Sequence, residues 1–119
     1  MKLLLENLPA SLEPQRETLR RCLEAMDREF PIREVILFGS HARGDARKDS
    51  DVDLCIVADD AAEQFDAAAR FRIAIWDVWP RPAFTLIPIT PERLGAKRAR
   101  GDHFFSTVLT EGVSIAAED

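Results

Sequence analysis

No stretch of this chain approaches the roughly 18 consecutive apolar residues needed to cross a bilayer. The apolar run near the start, Leu3-Leu4-Leu5, is too short for the core of a secretion signal. Both shortages lead to the expectation of a cytoplasmic protein without membrane contact. Cysteine is equally scarce: Cys22 and Cys55 are the only two and have no metal-like spacing. They read as small reduced core residues, not as a disulfide or a zinc site. Positive charge is in deficit as well, with 16 Lys and Arg against 21 Asp and Glu and a formal charge of −5. That balance argues against direct nucleic-acid binding, which is dominated by phosphate neutralisation. A small nucleotide stays open, because one metal ion or a few backbone N–H groups reverse the sign locally. Internal repeats and low-complexity segments are missing too, so the expectation is one domain over residues 1–119.

What is present suits an ordinary globular core: 46% of the residues are apolar and 31% charged. From Leu12 to Phe30 the apolar positions Leu12, Leu19, Leu23, Met26 and Phe30 recur at helical spacing, with Pro14 suited to a first turn and Pro31 as the stop. Val35-Ile36-Leu37-Phe38 is a continuous apolar run ended by Gly39-Ser40, the pattern of a buried strand feeding a tight turn. Residues 41–51 read as a loop with room for one helical turn, and a second buried strand covers Val52 to Val57. A second helix is expected from Ala61 to Trp79, with Phe65, Ala69, Ile73 and Trp76 as its core face, closed by Pro80 and Pro82. A third strand spans about Ala83 to Ile89, where Pro88 indicates an edge position or a strand end. Thr90-Pro91 then looks like a helix start, and Asp102 the cap of a last helix ending at Gly112. The sum is a short sheet covered by helices.

The chemistry concentrates between Phe38 and Leu54. Glycine and serine leaving a buried strand allow close approach of an anion, since Gly39 has no Cβ and the following N–H groups and the Ser40 hydroxyl can point at it. Asp51 and Asp53 lie two apart at a strand, hence on one face with Cα atoms roughly 6.6 Å apart. Asp53 intrudes among Val52, Leu54, Ile56 and Val57, and buried strands rarely carry a carboxylate without cause. Two such carboxylates can share Mg²⁺, a hard cation that completes its shell with water and phosphate oxygen; Mn²⁺ is the alternative metal.

Gly39-Ser40, ten residues, then Asp51-x-Asp53 resembles the GS-x(10)-D-x-D motif of the DNA polymerase beta-like nucleotidyltransferase superfamily. With Ala42-Arg43-Gly44 and Ser50-Asp51-x-Asp53-Leu54, the chain is similar to its minimal nucleotidyltransferase (MNT) branch. That resemblance implies an α/β (α+β) fold with a mixed sheet flanked by helices. It implies that Gly39, Ser40, Arg43 and Gly44 bind the nucleotide, and that Asp51 and Asp53 are the catalytic, metal-holding pair. The implied reaction moves a nucleotidyl group from ATP or another NTP to a hydroxyl acceptor. The implied partner is a HEPN-domain protein of a toxin–antitoxin pair, with homo-oligomerisation as the other option.

One departure bears on activity. Active members carry a third carboxylate on the next strand, and counting back from Thr90-Pro91 places that position at Thr85. A threonine hydroxyl brings no negative charge to a dication. Asp77 and Glu92 are the nearest other acids, and neither is well placed along the chain. The alternative to an enzyme is therefore a binding module of the same fold that acts by docking. Arg43 has two readings, a phosphate contact or a surface pair with Asp45 or Asp49. His41 reads as a surface residue in preference to a catalyst, Lys97, Arg98 and Arg100 as a solvated charged face in preference to a contact to a triphosphate or an acidic partner, and Trp76 and Trp79 as core in preference to a base-stacking or subunit-interface pair.

Overall fold

Two apolar strands, one preceded by a strongly amphipathic helix, dictate the centre of the molecule. The computed structural model describes all residues, Met1–Asp119. The chain runs through strand β1 (Lys2–Leu3), 3-10 turns at Leu5–Asn7 and Ala10–Gln15, helix α1 (Arg16–Glu29), strand β2 (Ile32–Phe38) and the short helix α2 (Gly39–Arg43). Strand β3 (Val52–Ala58), helix α3 (Gln64–Ala74), strand β4 (Phe84–Ile89), helices α4 (Pro91–Ala99) and α5 (His103–Glu111) and strand β5 (Val113–Ala117) complete it. The sheet order is β1-β5-β2-β3-β4. Only β3 and β4 run parallel; the other neighbours are antiparallel, so the sheet is mixed.

Strand alternation assigns the two faces. Val35, Leu37, Leu54, Ile56 and Leu86 point to the side covered by α1 and α3, where they join Leu19, Leu23, Met26 and Phe71 in the larger core. Ile36, Cys55, Val57 and Ile89 point the other way, onto Leu94 of α4 and Phe105 and Val108 of α5. Both cysteines are free and buried. Burial pushes their thiols up, to about 11 for Cys22 and about 12 for Cys55, so they stay protonated and unreactive.

The expected caps are present. Thr90 Oγ1 accepts from the Arg93 N–H at 3.2 Å with Pro91 in the first helical position, and Asp102 accepts from the Phe105 N–H at 3.0 Å. Three expectations need correction. Pro14 sits inside the 3-10 turn and α1 begins after it, because the proline ring cannot occupy the interior of an α-helical ladder. The chain also adds β1 and β5, short strands with too little apolar pattern to stand out.

The second helix is the largest discrepancy. It covers only Gln64–Ala74 and presents its other face to the core. Ala67 and Phe71 are buried, followed by Ile75 and Val78 in the turn beyond, whereas Phe65, Ile73, Trp76 and Trp79 are 86%, 71%, 74% and 75% exposed. Phe71 decides the orientation by meeting the Phe30 ring edge-on at a centroid distance of 5.2 Å. The small side chain of Ala67 lets the helix approach.

β4 is an edge strand, in keeping with Pro88, and its outer margin is partly engaged. The Arg72 guanidinium donates to the Phe84 carbonyl at 3.1 Å, the Gln64 amide donates to the Pro88 carbonyl at 2.8 Å, and Pro88 has no N–H to offer.

Candidate functional site

β2 ends and β3 and β4 begin at the same end of the sheet, and the motif residues gather there. Phe38 pairs with Asp53 across β2 and β3, and Asp53 pairs with Thr85 across β3 and β4. Asp51 lies one residue before β3. By alternation Asp51, Asp53 and Thr85 share the face of Cys55 and Val57, beyond the part that α4 and α5 cover; Asp51 is exposed and Asp53 and Thr85 are half-buried.

Gly39 makes this arrangement possible. Its φ of 76° lies in the left-handed region, and a Cβ there would stand 2.0 Å from Asp53 Oδ2. The chain thus turns directly over the carboxylate and continues into α2. Gly44 closes α2 with φ 84°, where the Asp45 N–H donates to the Ser40 carbonyl at 3.0 Å in a Schellman-type end. Nothing lies within 4 Å of where a Gly44 Cβ would project, so this glycine serves the backbone turn.

The Thr85 hydroxyl donates to Asp51 Oδ2 at 3.3 Å and sits beside Asp53 as well. Asp53 has its pKa raised, first by burial and also by the like charge of Asp51; the Thr85 hydroxyl, His41 and Arg43 pull it the other way. No salt bridge in the chain engages either aspartate. The donors are thus two carboxylates and one hydroxyl, all oxygen, with net negative charge left uncompensated. That set fits a hard divalent cation whose remaining ligands come from water and phosphate. No third His, Cys, Asp or Glu completes a metal-holding cluster. Glu92 stands past the opposite end of β4 from Thr85, and Asp77 lies in the turn after α3, so neither lies beside Asp51 and Asp53.

Arg43 is engaged at the surface with Asp45, Nε to Oδ2 3.2 Å, within reach of influencing Asp53. Lys97 is tied to Asp102 at 3.7 Å. His41 corrects its surface assignment: it is 5% exposed, its Nδ1 is 2.8 Å from Ser11 Oγ and its Nε2 is 3.4 Å from the Ser50 carbonyl. The ring ties the N-terminal 3-10 turn to the residue preceding Asp51. A histidine between a Gly-Ser turn and a charged loop carries no sequence signal for burial, because its partner Ser11 is distant along the chain.

A mixed sheet carrying a Gly-Ser turn over a strand aspartate defines a protein of nucleotidyltransferase type. Residues 19–103 match the family model described as nucleotidyltransferase domain, and the chain belongs to that family. Among solved structures it is similar to a candidate nucleotidyltransferase from Sulfolobus solfataricus, at 26% identity and TM-score 0.56 over 76% of each chain. It also shares its fold with a toxin–antitoxin structure solved with AMP-PNP, at 18% identity and TM-score 0.51, over 84% of this chain and 73% of that one. No curated protein sequence matches the chain.

Proposed function

We propose that residues 1–119 act as one nucleotidyltransferase domain of the MNT type, which binds ATP with Mg²⁺ and transfers AMP to a hydroxyl on a partner protein. The observation that carries this reading is the close packing of Gly39 over the unpaired carboxylate of Asp53, beside Asp51. Asp51 and Asp53 would hold the metal, which when bound offsets charge on the triphosphate and polarises its α-phosphorus. Gly39 and Ser40 approach the triphosphate, Gly44 shapes the turn, and Arg43 exchanges Asp45 for the leaving pyrophosphate. The acceptor oxygen bonds to the α-phosphorus, the bond to pyrophosphate breaks, and the hydroxyl proton is released to solvent.

A HEPN-type toxin is the partner we favour, with support from the fold shared with a toxin–antitoxin structure solved with AMP-PNP. The buried free thiols suit work in the cytoplasm. A second reading, a docking module without turnover, is favoured by one specific feature: Thr85 donates a hydrogen bond to Asp51 where active members have a carboxylate. Thermal unfolding with ATP, with and without Mg²⁺, tests the site. A ligand at a hundred times its dissociation constant adds about 2.7 kcal/mol. The wild type is expected to shift upward only with both, and Asp53→Ala with neither; absence of any response overturns the nucleotide reading. Radiolabelled AMP transfer to the purified partner separates enzyme from docking module.

A further inference from the structure

Beside the edge of β4, on the α3 side, Trp76 and Trp79 frame a cavity of about 430 Å³ with Arg72, Arg81 and Phe84. The tryptophans are exposed although nothing in the local sequence requires it: Ile75 and Val78, their neighbours in the same turn, take the core positions. Exposed contiguous aromatic surface is the usual mark of an interface, where Trp and Arg supply most of the binding energy. Both guanidiniums in the cavity lack an acidic partner. Arg72 donates to the Phe84 carbonyl, and Arg81 donates to the Val78 carbonyl at 3.0 Å with its guanidinium 5.8 Å from the Trp79 ring centroid. No salt bridge uses either one, in a chain whose formal charge is −5. This is a cationic, aromatic cavity on an acidic protein. Phe84 lines it while Thr85, the next residue, faces the two aspartates from the opposite side of β4.

We infer that this cavity is the docking site for an acidic segment of the partner protein, which inserts an apolar side chain between Trp76 and Trp79 and sets carboxylates against Arg72 and Arg81. The inference rests on the partner-directed reading above. Charge complementarity selects the occupant. A second copy related by a twofold axis through the cavity would bring Arg72 and Arg81 against their own counterparts, and a nucleic acid would approach a chain whose formal charge is −5. Arg72 and Gln64 already take the Phe84 and Pro88 carbonyls of β4 and Pro88 has no N–H, which disfavours addition of a strand there and favours recognition through side chains.

The test uses fluorescein-labelled peptides of about twelve residues with leucine and phenylalanine anchors separated by glutamate, and counterparts with glutamine or lysine in its place. The full chain is expected to bind the glutamate peptide, about tenfold more weakly the glutamine peptide, and the lysine peptide not at all. Trp76→Ala/Trp79→Ala and Arg81→Gln each weaken binding about tenfold and added salt weakens it further; the double tryptophan variant keeps wild-type thermal stability because both rings are exposed, and Arg81→Gln, which also gives up its bond to the Val78 carbonyl, is read at a temperature where it is fully folded. Equal binding of the three peptides, or full binding by the double tryptophan variant, overturns the inference. So does sedimentation that shows a wild-type dimer dissolved by the double variant, or an oligonucleotide that displaces the peptide. The Mg²⁺–ATP shift is read on the same samples: its persistence in the tryptophan variants separates a failed docking site from a failed nucleotide site.

Discussion

Gly39 lies so close to Asp53 that a methyl group on its Cα would stand 2.0 Å from the carboxylate oxygen Oδ2. The distance links a backbone conformation to a chemical group, since φ of 76° and contact with the acid are properties of one residue. Gly39→Ala is expected to lose about 1–3 kcal/mol in urea unfolding through backbone strain alone. Because the displaced atom is the Asp53 carboxylate, the variant is also expected to lose its Mg²⁺–ATP stabilisation, which Gly44→Ala, strained at φ but free of contact, should largely retain.

Asp53 is expected to titrate above the ordinary aspartate value, because burial and the Asp51 charge oppose its ionisation. Between the ordinary value of about 3.9 and its own raised value the folded state binds more protons than the unfolded one. Its contribution to stability is therefore present at low pH and lost as pH rises through that window. Asp53→Asn should abolish this loss, leaving the apo protein at neutral pH as stable as the wild type or more so. Unfolding midpoints followed across acidic pH, with the Asp53 carboxyl titration by NMR, check it; a decline in stability at neutral pH for the Asn variant counts against the account.

Thr85→Asp places a third carboxylate beside Asp51 and Asp53. The expected result has two signs: lower apo stability from three like charges, and a larger Mg²⁺-induced rise in melting temperature. If AMP transfer is slow or absent in the wild type, this variant is expected to raise it. Calorimetry in metal-free buffer and with Mg²⁺ reads both stability terms.

His41→Ala removes a buried ring that ties Ser11 to the loop before Asp51. A loss of about 1–3 kcal/mol is expected from the unmade hydrogen bonds. The weaker anchoring of Asp51 should also lower Mg²⁺ affinity at a temperature where the variant is fully folded. Unchanged metal affinity would confine His41 to a role in stability.

Along α3 the two faces should differ sharply. Phe71→Ala is expected to cost about 3–5 kcal/mol, as for other large core aromatics, while Phe65→Ala stays within about 0.5 kcal/mol of the wild type. Denaturant unfolding of the two variants measures the contrast.

That contrast marks where the sequence is legible and where it is not. Strands β2 and β3 announce themselves as apolar runs, Asp53 stands out because it breaks one, and the caps at Thr90 and Asp102 follow from local hydrogen-bond chemistry. These features depend on residues near each other in the chain. The inward face of α3 does not: apolar residues occur on both sides of it, and the choice is made by Phe30, reached only after the chain has folded back. His41 escaped for the same reason, its partner Ser11 belonging to another element. Strand β5 has little pattern of its own and is defined by the neighbours it pairs with, β1 and β2.

The partly engaged margin of β4 has a consequence for which residues of this chain can be altered. With the Phe84 and Pro88 carbonyls held by Arg72 and Gln64, what this side of the molecule offers to solvent is chiefly side chains. Phe65, Ile73, Trp76 and Trp79 bear little of the core, so each can be exchanged at small cost to folding. Changes at these four positions can therefore be combined freely without disturbing the packing that holds Gly39 over Asp53.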